Sequence, residues 1–217
     1  PDPGERPPPG PSLSPRATAD VGEALRSAGR ATPDELVGQL DARDPAQVGH
    51  AVAALVSMGR AGSPVLAPLE RALLTSSLGG RRAAAQVLDR LGRRPERPEA
   101  LAAYYLARGD LARCEALGAP ARRVLREALP LLDWRSAGAV ALSLLRLGEP
   151  LWSPALGSVI DLLERVASLP DARVGETLRD DRRSTGGCDV SLTVSRAADR
   201  RAARDLLAAL QAEAVRK

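Results

Sequence analysis

From residue 32 onward the apolar positions recur with a helical period rather than alternating. In the segment opened by Asp44-Pro45, Val48, Val52, Leu55 and Val56 fall on one face of a 3.6-residue repeat. Thr32-Pro33-Asp34-Glu35 reads as a capped start. It has a threonine N-cap, proline at the first helical position, and a glutamate three residues on to close a capping box. Segment ends repeat one pattern, apolar-x-x-apolar-Gly: LVSMG at Gly59, LDRLG at Gly92, CEALG at Gly118 and LLRLG at Gly148, spaced 33, 26 and 30 residues apart. A small residue and a proline follow three of them, as Ser63-Pro64, Ala119-Pro120 and Ser153-Pro154. Five and nine positions after each proline come apolar residues: Leu69 and Leu73, Leu125 and Leu129, Val159 and Leu163. One helical stripe is thus written three times in register.

This punctuation predicts units of two helices, the first ended by glycine and the second started by proline. A single pair cannot bury both apolar faces, so neighbouring pairs are expected to stack along a continuous core. Gly59, Gly118 and Gly148 are expected in the left-handed conformation that ends helices. The second unit is enlarged, because the connection LGRRPERP leads into an extra helix containing Tyr104 and Tyr105. The chain divides into a Pro-rich lead or linker at 1–16, a repeat array at 17–169, and a polar loop with a C-terminal capping helix at 170–217. Within the last part SLTVS at 191–195 alternates briefly. Leu206, Leu207 and Leu210 mark a helix from about Arg196 to Val215, with Ser195 as its N-cap.

Composition sharpens the class. Hydrophobic residues make up 44% of the 217 residues and aromatics 2%, with no phenylalanine, so burial falls to Leu, Val and Ala. Such side chains suit closely packed helices better than a β-sandwich, and the chain reads as all-α. Lys217 is the only lysine among 31 basic residues, asparagine is absent, and Ile160 is the only isoleucine. These residue types share AT-rich codons with phenylalanine, so a GC-rich, bacterial genome accounts for all the gaps. The arginine excess is then largely coding bias, and the net charge of +4 is modest for a nucleic-acid binder. No apolar run approaches the ~18–20 residues a membrane helix needs, so no membrane partner is expected. Cys114 and Cys188 are too few for a disulfide framework and lack metal-ligand spacing, which makes reduced thiols and a cytoplasmic location the expectation. The chain starts at Pro1 with Met58 its only methionine, and reads as a fragment or processed product.

The glycine-ended, proline-started pairs resemble HEAT repeats, and are most similar to the short bacterial variety of phycobilisome lyases. The stretch LGRRPERPEALAAYYLARGDLARCEALGAPARRVLREAL, residues 91–129, carries the likeness most specifically. It is similar to a segment in which an LGW-x-P turn precedes an A-x-Y helix and then LGAPAVEPL. Arg93 stands in the place of that tryptophan, and Arg122 and Arg123 in the place of Val-Glu. The resemblance covers about residues 44–168. It implies a right-handed α-solenoid whose second helices line a concave binding surface, and it carries over no catalytic residue or cofactor.

Candidate chemistry is sparse. His50 is the only histidine and reads as a solvent-edge residue. A single imidazole cannot build the repeated His-Glu iron ligation of HEAT-like hydroxylases, nor supply a base to the Ser184–Cys188 loop STGGC. Cys114 occupies a core slot. Trp134, after an expected cap at Asp133, and Trp152, before Ser153-Pro154, both read as packing residues of the staple kind. The best contact surface is Arg122, Arg123 and Arg126 on a second helix, facing a protein partner of unknown identity in a non-enzymatic scaffold. A nucleic-acid partner on the same arginines is the alternative, and a chromophore-lyase-type subunit the third reading. Arg81, Arg82 and Arg90 read as the opposite, convex side. The first expected outcome concerns fold class. A far-ultraviolet circular dichroism spectrum should show the paired minima of α-helix, and a spectrum dominated by β signal would overturn the reading.

Overall fold

A computed structural model describes residues 31–168, 177–178, 192–193 and 197–216. The lead at 1–16, the loop Ser184–Cys188 and the expected cap Ser195 lie outside the described residues. What is described is helical. The helices are α1 (Pro33–Gly38), α2 (Pro45–Arg60), α3 (Leu66–Thr75), α4 (Leu78–Leu91) and α5 (Pro98–Ala107). They continue as α6 (Leu111–Glu115), α7 (Ala119–Ala128), α8 (Trp134–Arg146), α9 (Pro154–Ser168) and α10 (Ala197–Val215). Short 3-10 turns, Gln39–Asp41 and Leu129–Leu131, extend α1 and α7. Extended pairing among the described residues is one two-residue antiparallel bridge, Thr177–Leu178 against Leu192–Thr193. Its second strand falls inside the alternating SLTVS stretch, while its first lies outside it.

Local chemistry explains most of the boundaries. The capping box at α1 is complete: Glu35 N–H donates to Thr32 Oγ1 at 3.3 Å, and Thr32 N–H to Glu35 Oε2 at 2.7 Å. Hydrogen bonding of the Glu35 carboxyl by Thr32, first by its backbone N–H and then by its side chain, holds that carboxyl below its ordinary pKa. Asp44 caps α2 through Ala46 N–H at 3.0 Å. Asp133 caps α8 by accepting from the N–H groups of Arg135 and Ser136, both at 3.0 Å. Partial burial pushes the Asp133 carboxyl up, but its hydrogen bonds from Ser136 and Arg135 outweigh burial and hold it below the usual carboxylate range.

The core is built from the expected stripe. Leu69, Leu73, Leu125 and Leu163 are fully enclosed, and Leu129 and Val159 are buried with them. Helices pack with neighbours one and two places along the chain. Thus α1, α3, α5 and α7 touch in succession, as do α2 with α4, and α6 with α8 and α8 with α10. Polar ties reinforce these contacts. Asp41, after α1, accepts from the N–H and hydroxyl of Ser77, the N-cap of α4. Buried Glu70 on α3 accepts from Glu96 N–H at 2.7 Å, pinning the α4–α5 connection. The terminal helix α10 lies against α8 and α9 and buries Ala203 and Leu210, with Leu206 and Leu207 partly covered.

One expectation needs correction. Gly118 and Gly148 do take positive φ, +68° and +89°, but Gly59 does not. Helix α2 runs past it to Arg60, the Ala61 N–H bonds to Ser57 O, and Gly62 makes the turn at φ +87°. Gly59 is small for another reason. A Cβ there would meet the Leu91 methyls at 2.8 and 2.9 Å and Val65 Cγ2 at 3.0 Å. The glycine is a close-approach point against the end of α4, not a cap.

The two roles predict different costs. Gly148→Ala should lower stability by about 1 kcal/mol, because alanine is strained at positive φ. Gly59→Ala gains about 1 kcal/mol of helix propensity, which offsets pushing aside the partly exposed Leu91, so its cost should be smaller. Chemical denaturation of the two variants checks the order, and the reverse ranking would refute this assignment.

Candidate functional site

Helix α7 has one strongly apolar face, on which Ala121, Val124, Leu125 and Ala128 are buried. The pattern therefore sends Arg122, Arg123 and Arg126 outward, as their positions between core residues require. Arg122 is partly covered, while Arg123 and Arg126 are exposed. Their surroundings differ. Arg123 Nε meets Glu127 Oε1 at 3.0 Å one turn on, and that hydrogen bond raises its pKa further. Arg126 Nη2 meets Glu149 Oε2 at 2.5 Å, and the Glu149 side chain is only 6% exposed. Arg126 is thus the counter-charge of a buried carboxylate in the α8–α9 turn. It holds that turn in addition to whatever it offers to solvent.

The same turn carries the largest departure from the sequence reading. Trp152 is 87% exposed and packs as no staple. The Ser153 N–H closes onto Pro150 O at 2.9 Å, so the two side chains between them diverge. Leu151 takes the place against the core and the indole is left outside. Two prolines, Pro150 and Pro154, bracket this short turn in the sequence, and that bracket is the signal that a staple did not have room to form. Trp134 does pack as expected. It is buried at the first position of α8, with the Arg135 guanidinium 5.0 Å from its ring centre. Arg135 also pairs with Asp199, joining α8 to α10.

Other candidates settle into structural roles. Arg81 is buried, not convex surface: its Nε donates to Ser76 O at 2.8 Å and its Nη2 to Leu74 O at 2.9 Å, closing the C-terminal end of α3. Burial lowers its pKa, opposed by the nearby Glu127 and Asp41 charges. Cys114 is enclosed and donates to Ala102 O at 3.4 Å. Burial first, then the Glu115 and Asp110 charges, push its thiol up to about 12, so it is no nucleophile at neutral pH. His50 is exposed on α2. No group of three or more His, Cys, Asp or Glu suited to a metal ion occurs among the described residues. No described helix is long and apolar enough to cross a membrane.

A second feature has no counterpart in the sequence reading. The end of α4, the end of α5 and the start of α6 enclose an open cleft of about 540 Å³, lined by Asp89, Arg94, Tyr104, Tyr105, Arg108, Gly109, Asp110 and Arg113. Tyr104 and Tyr105 meet edge to face, 5.4 Å between ring centres. Positive-φ glycines, Gly92 and Gly109, turn the chain at its two sides, and only these turns hint at it in the sequence. Comparison with family models, with curated proteins and with solved structures finds no match.

The Arg126–Glu149 pair makes a specific prediction. Arg126→Glu should cost about 1–3 kcal/mol, because it leaves Glu149 buried beside a like charge. Arg123→Glu, on an exposed site, should change stability by less than about 0.5 kcal/mol. Thermal melts compare the two, and equal melting temperatures would show that the pair carries no stability.

Proposed function

We propose that this chain is a non-enzymatic scaffold, an α-solenoid of HEAT-like helix pairs, that recognises an acidic protein partner through the α7 surface and the α8–α9 turn. The observation that carries this reading is the exposed indole of Trp152, held out by a turn that Arg126 secures through Glu149. Tryptophan and arginine are among the residue types enriched at the energetic centres of protein interfaces. The solenoid reading is supported by the succession of packing partners and by glycine turns at Gly92, Gly118 and Gly148 in repeated positions. The α7 arginines then lie on the second helix of a pair, the side assigned to the concave face.

A nucleic-acid partner fits this surface less well. Arg123 and Arg126 already meet Glu127 and Glu149, and these carboxylates repel a phosphate backbone. A protein partner with both acidic and apolar groups matches arginine, glutamate and indole together. The chromophore-lyase reading has only the repeat type behind it.

The test is affinity capture with the intact chain and two variants, Trp152→Ala and the pair Arg122→Glu with Arg123→Glu. Both sets of substitutions lie at exposed or partly covered positions and spare Arg126. Trp152→Ala should weaken the captured partner by about 2 kcal/mol, roughly 30-fold. The double reversal should weaken it in a salt-dependent way with an unchanged melting temperature. A partner that binds all three forms equally would overturn the proposed surface. Recovery of nucleic acid alone, with steep salt dependence, would replace the protein partner with the alternative.

A further inference from the structure

We propose that the cleft between the ends of α4 and α5 and the start of α6 binds a carboxylate, supplied by an acidic side chain of a peptide segment. This site is separate from the α7 surface. Glu99, in the first turn of α5, is near enough to Arg123 to raise its pKa, whereas the cleft is at the other end of that helix. Ten helical residues span about 15 Å.

The charges inside the cleft decide the ligand class. Three guanidinium groups face two carboxylates, which leaves one net positive charge. The five charges do not stand alike. Asp89 is engaged twice, by the Arg108 guanidinium and by the Tyr104 hydroxyl. Asp110 caps α6 through Arg113 N–H at 3.2 Å and also meets Arg113 Nε at 3.4 Å. Arg94 has no carboxylate partner among the described residues; its Nη1 donates to the Tyr105 hydroxyl at 3.3 Å. The surplus charge therefore resides on Arg94, and the Tyr105 hydroxyl, which accepts from Arg94, keeps its own hydrogen to donate to a ligand.

This donor set is held in place before any ligand arrives. Gly92 at φ +63° lets the chain leave α4, and Arg93 N–H bonds back to Leu88 O at 3.0 Å. Pro95 is buried, and Glu96 N–H is fixed on Glu70. Arg94 thus stands on a connection tied at both sides. Tyr105 is buried against its neighbours and lines the cleft. A planar guanidinium beside a phenol offers parallel N–H and O–H donors, which match the two oxygens of a carboxylate. Asp89 and Asp110 on the flanks work against a phosphate dianion, whose second charge the single surplus cation does not balance. The open, polar shape also argues against an enclosed apolar metabolite, and leaves room for the chain on either side of an Asp or Glu.

The test is calorimetric titration of the intact protein with a terminally blocked hexaglutamate peptide, with its hexaglutamine counterpart as control. Saturable binding that weakens with salt is expected for the first and none for the second. Arg94→Gln, at an exposed position, should weaken binding about tenfold or more, and Arg94→Lys should recover only part of it, because the ammonium lacks the fork. Tyr105→Phe should weaken binding severalfold, and Arg123→Gln should leave it unchanged. In nitrogen-15 spectra the Arg94 Nε–H signal should move on titration. Absence of binding overturns the proposal, as does equal weakening by Arg94→Gln and Arg123→Gln, which would mean diffuse attraction to a basic surface. Displacement of the peptide by equimolar inorganic phosphate also overturns it, since the site would then be a phosphate site.

Discussion

With no phenylalanine to fill space, this protein must bury its surface with leucine, valine and alanine, and such short side chains require the helices to lie close together. The consequences run through the whole structure. Ala51, Ala84, Ala102, Ala103, Ala121 and Ala141 are all fully enclosed, so backbones approach where larger side chains would hold them apart. At three points even alanine is too large without a shift of its neighbours. A Cβ at Gly59 would press on Leu91, at Gly80 on Asp41, and at Gly138 on Leu206. Each of these glycines sits where one helix meets another from a different part of the chain. Close packing of small residues, not any single large contact, joins the helices into one core.

Close packing also explains the placement of the polar residues. A helix pair held together by alanines has little slack, so the connections between pairs are fixed by side chains rather than left to solvent. Glu70 reaches the backbone of the α4–α5 connection, Arg81 closes the end of α3, and Arg126 holds the turn after α8. Glu115 receives the Ser143 hydroxyl at 2.5 Å and the Arg146 guanidinium at 3.3 Å, joining α6 to α8. No buried side-chain nitrogen or oxygen is left without a partner among the described residues. The abundant arginines are thus divided between those tied to a carboxylate or a backbone carbonyl, such as Arg81 and Arg126, and those such as Arg94 with no carboxylate partner among the described residues.

That division bears on how a protein of this composition could bind anything specifically. A surface of evenly spread arginines attracts acidic molecules without discrimination. Where an arginine is paired with a neighbouring carboxylate, as Arg123, Arg126 and Arg146 are, its contribution to that diffuse field is reduced. Trp152 and the Tyr104–Tyr105 pair then add what charge lacks, namely shape and direction. The two proposed surfaces each combine arginine with aromatic groups, and in the cleft Arg94 donates directly to the Tyr105 hydroxyl.

The residues that mattered for the fold were legible in the chain because they act locally. Capping at Thr32, Asp44 and Asp133, the turns at Gly118 and Gly148, and the stripes from Leu69 to Leu163 depend on neighbours within one or two helical turns. A periodic pattern reports such neighbours directly. What the pattern could not decide was which of several similar residues would meet a partner far away in sequence. Gly59 and Gly62 are both small and both follow the same stripe, and only the approach of Leu91 makes one a packing point and the other a turn. Arg81 and Arg126 read as surface charges until Leu74 O, Ser76 O and Glu149 are brought beside them. Trp152 read as buried because tryptophan before a helix start usually is, but a four-residue turn gives only one inward place and Leu151 fills it. The cleft was invisible for the same reason, since Asp89, Arg94, Tyr105 and Arg113 come from three helices and a connection. Local periodicity determined the helices and their inward faces, and tertiary contact decided which polar side chains became structure and which remained free to bind.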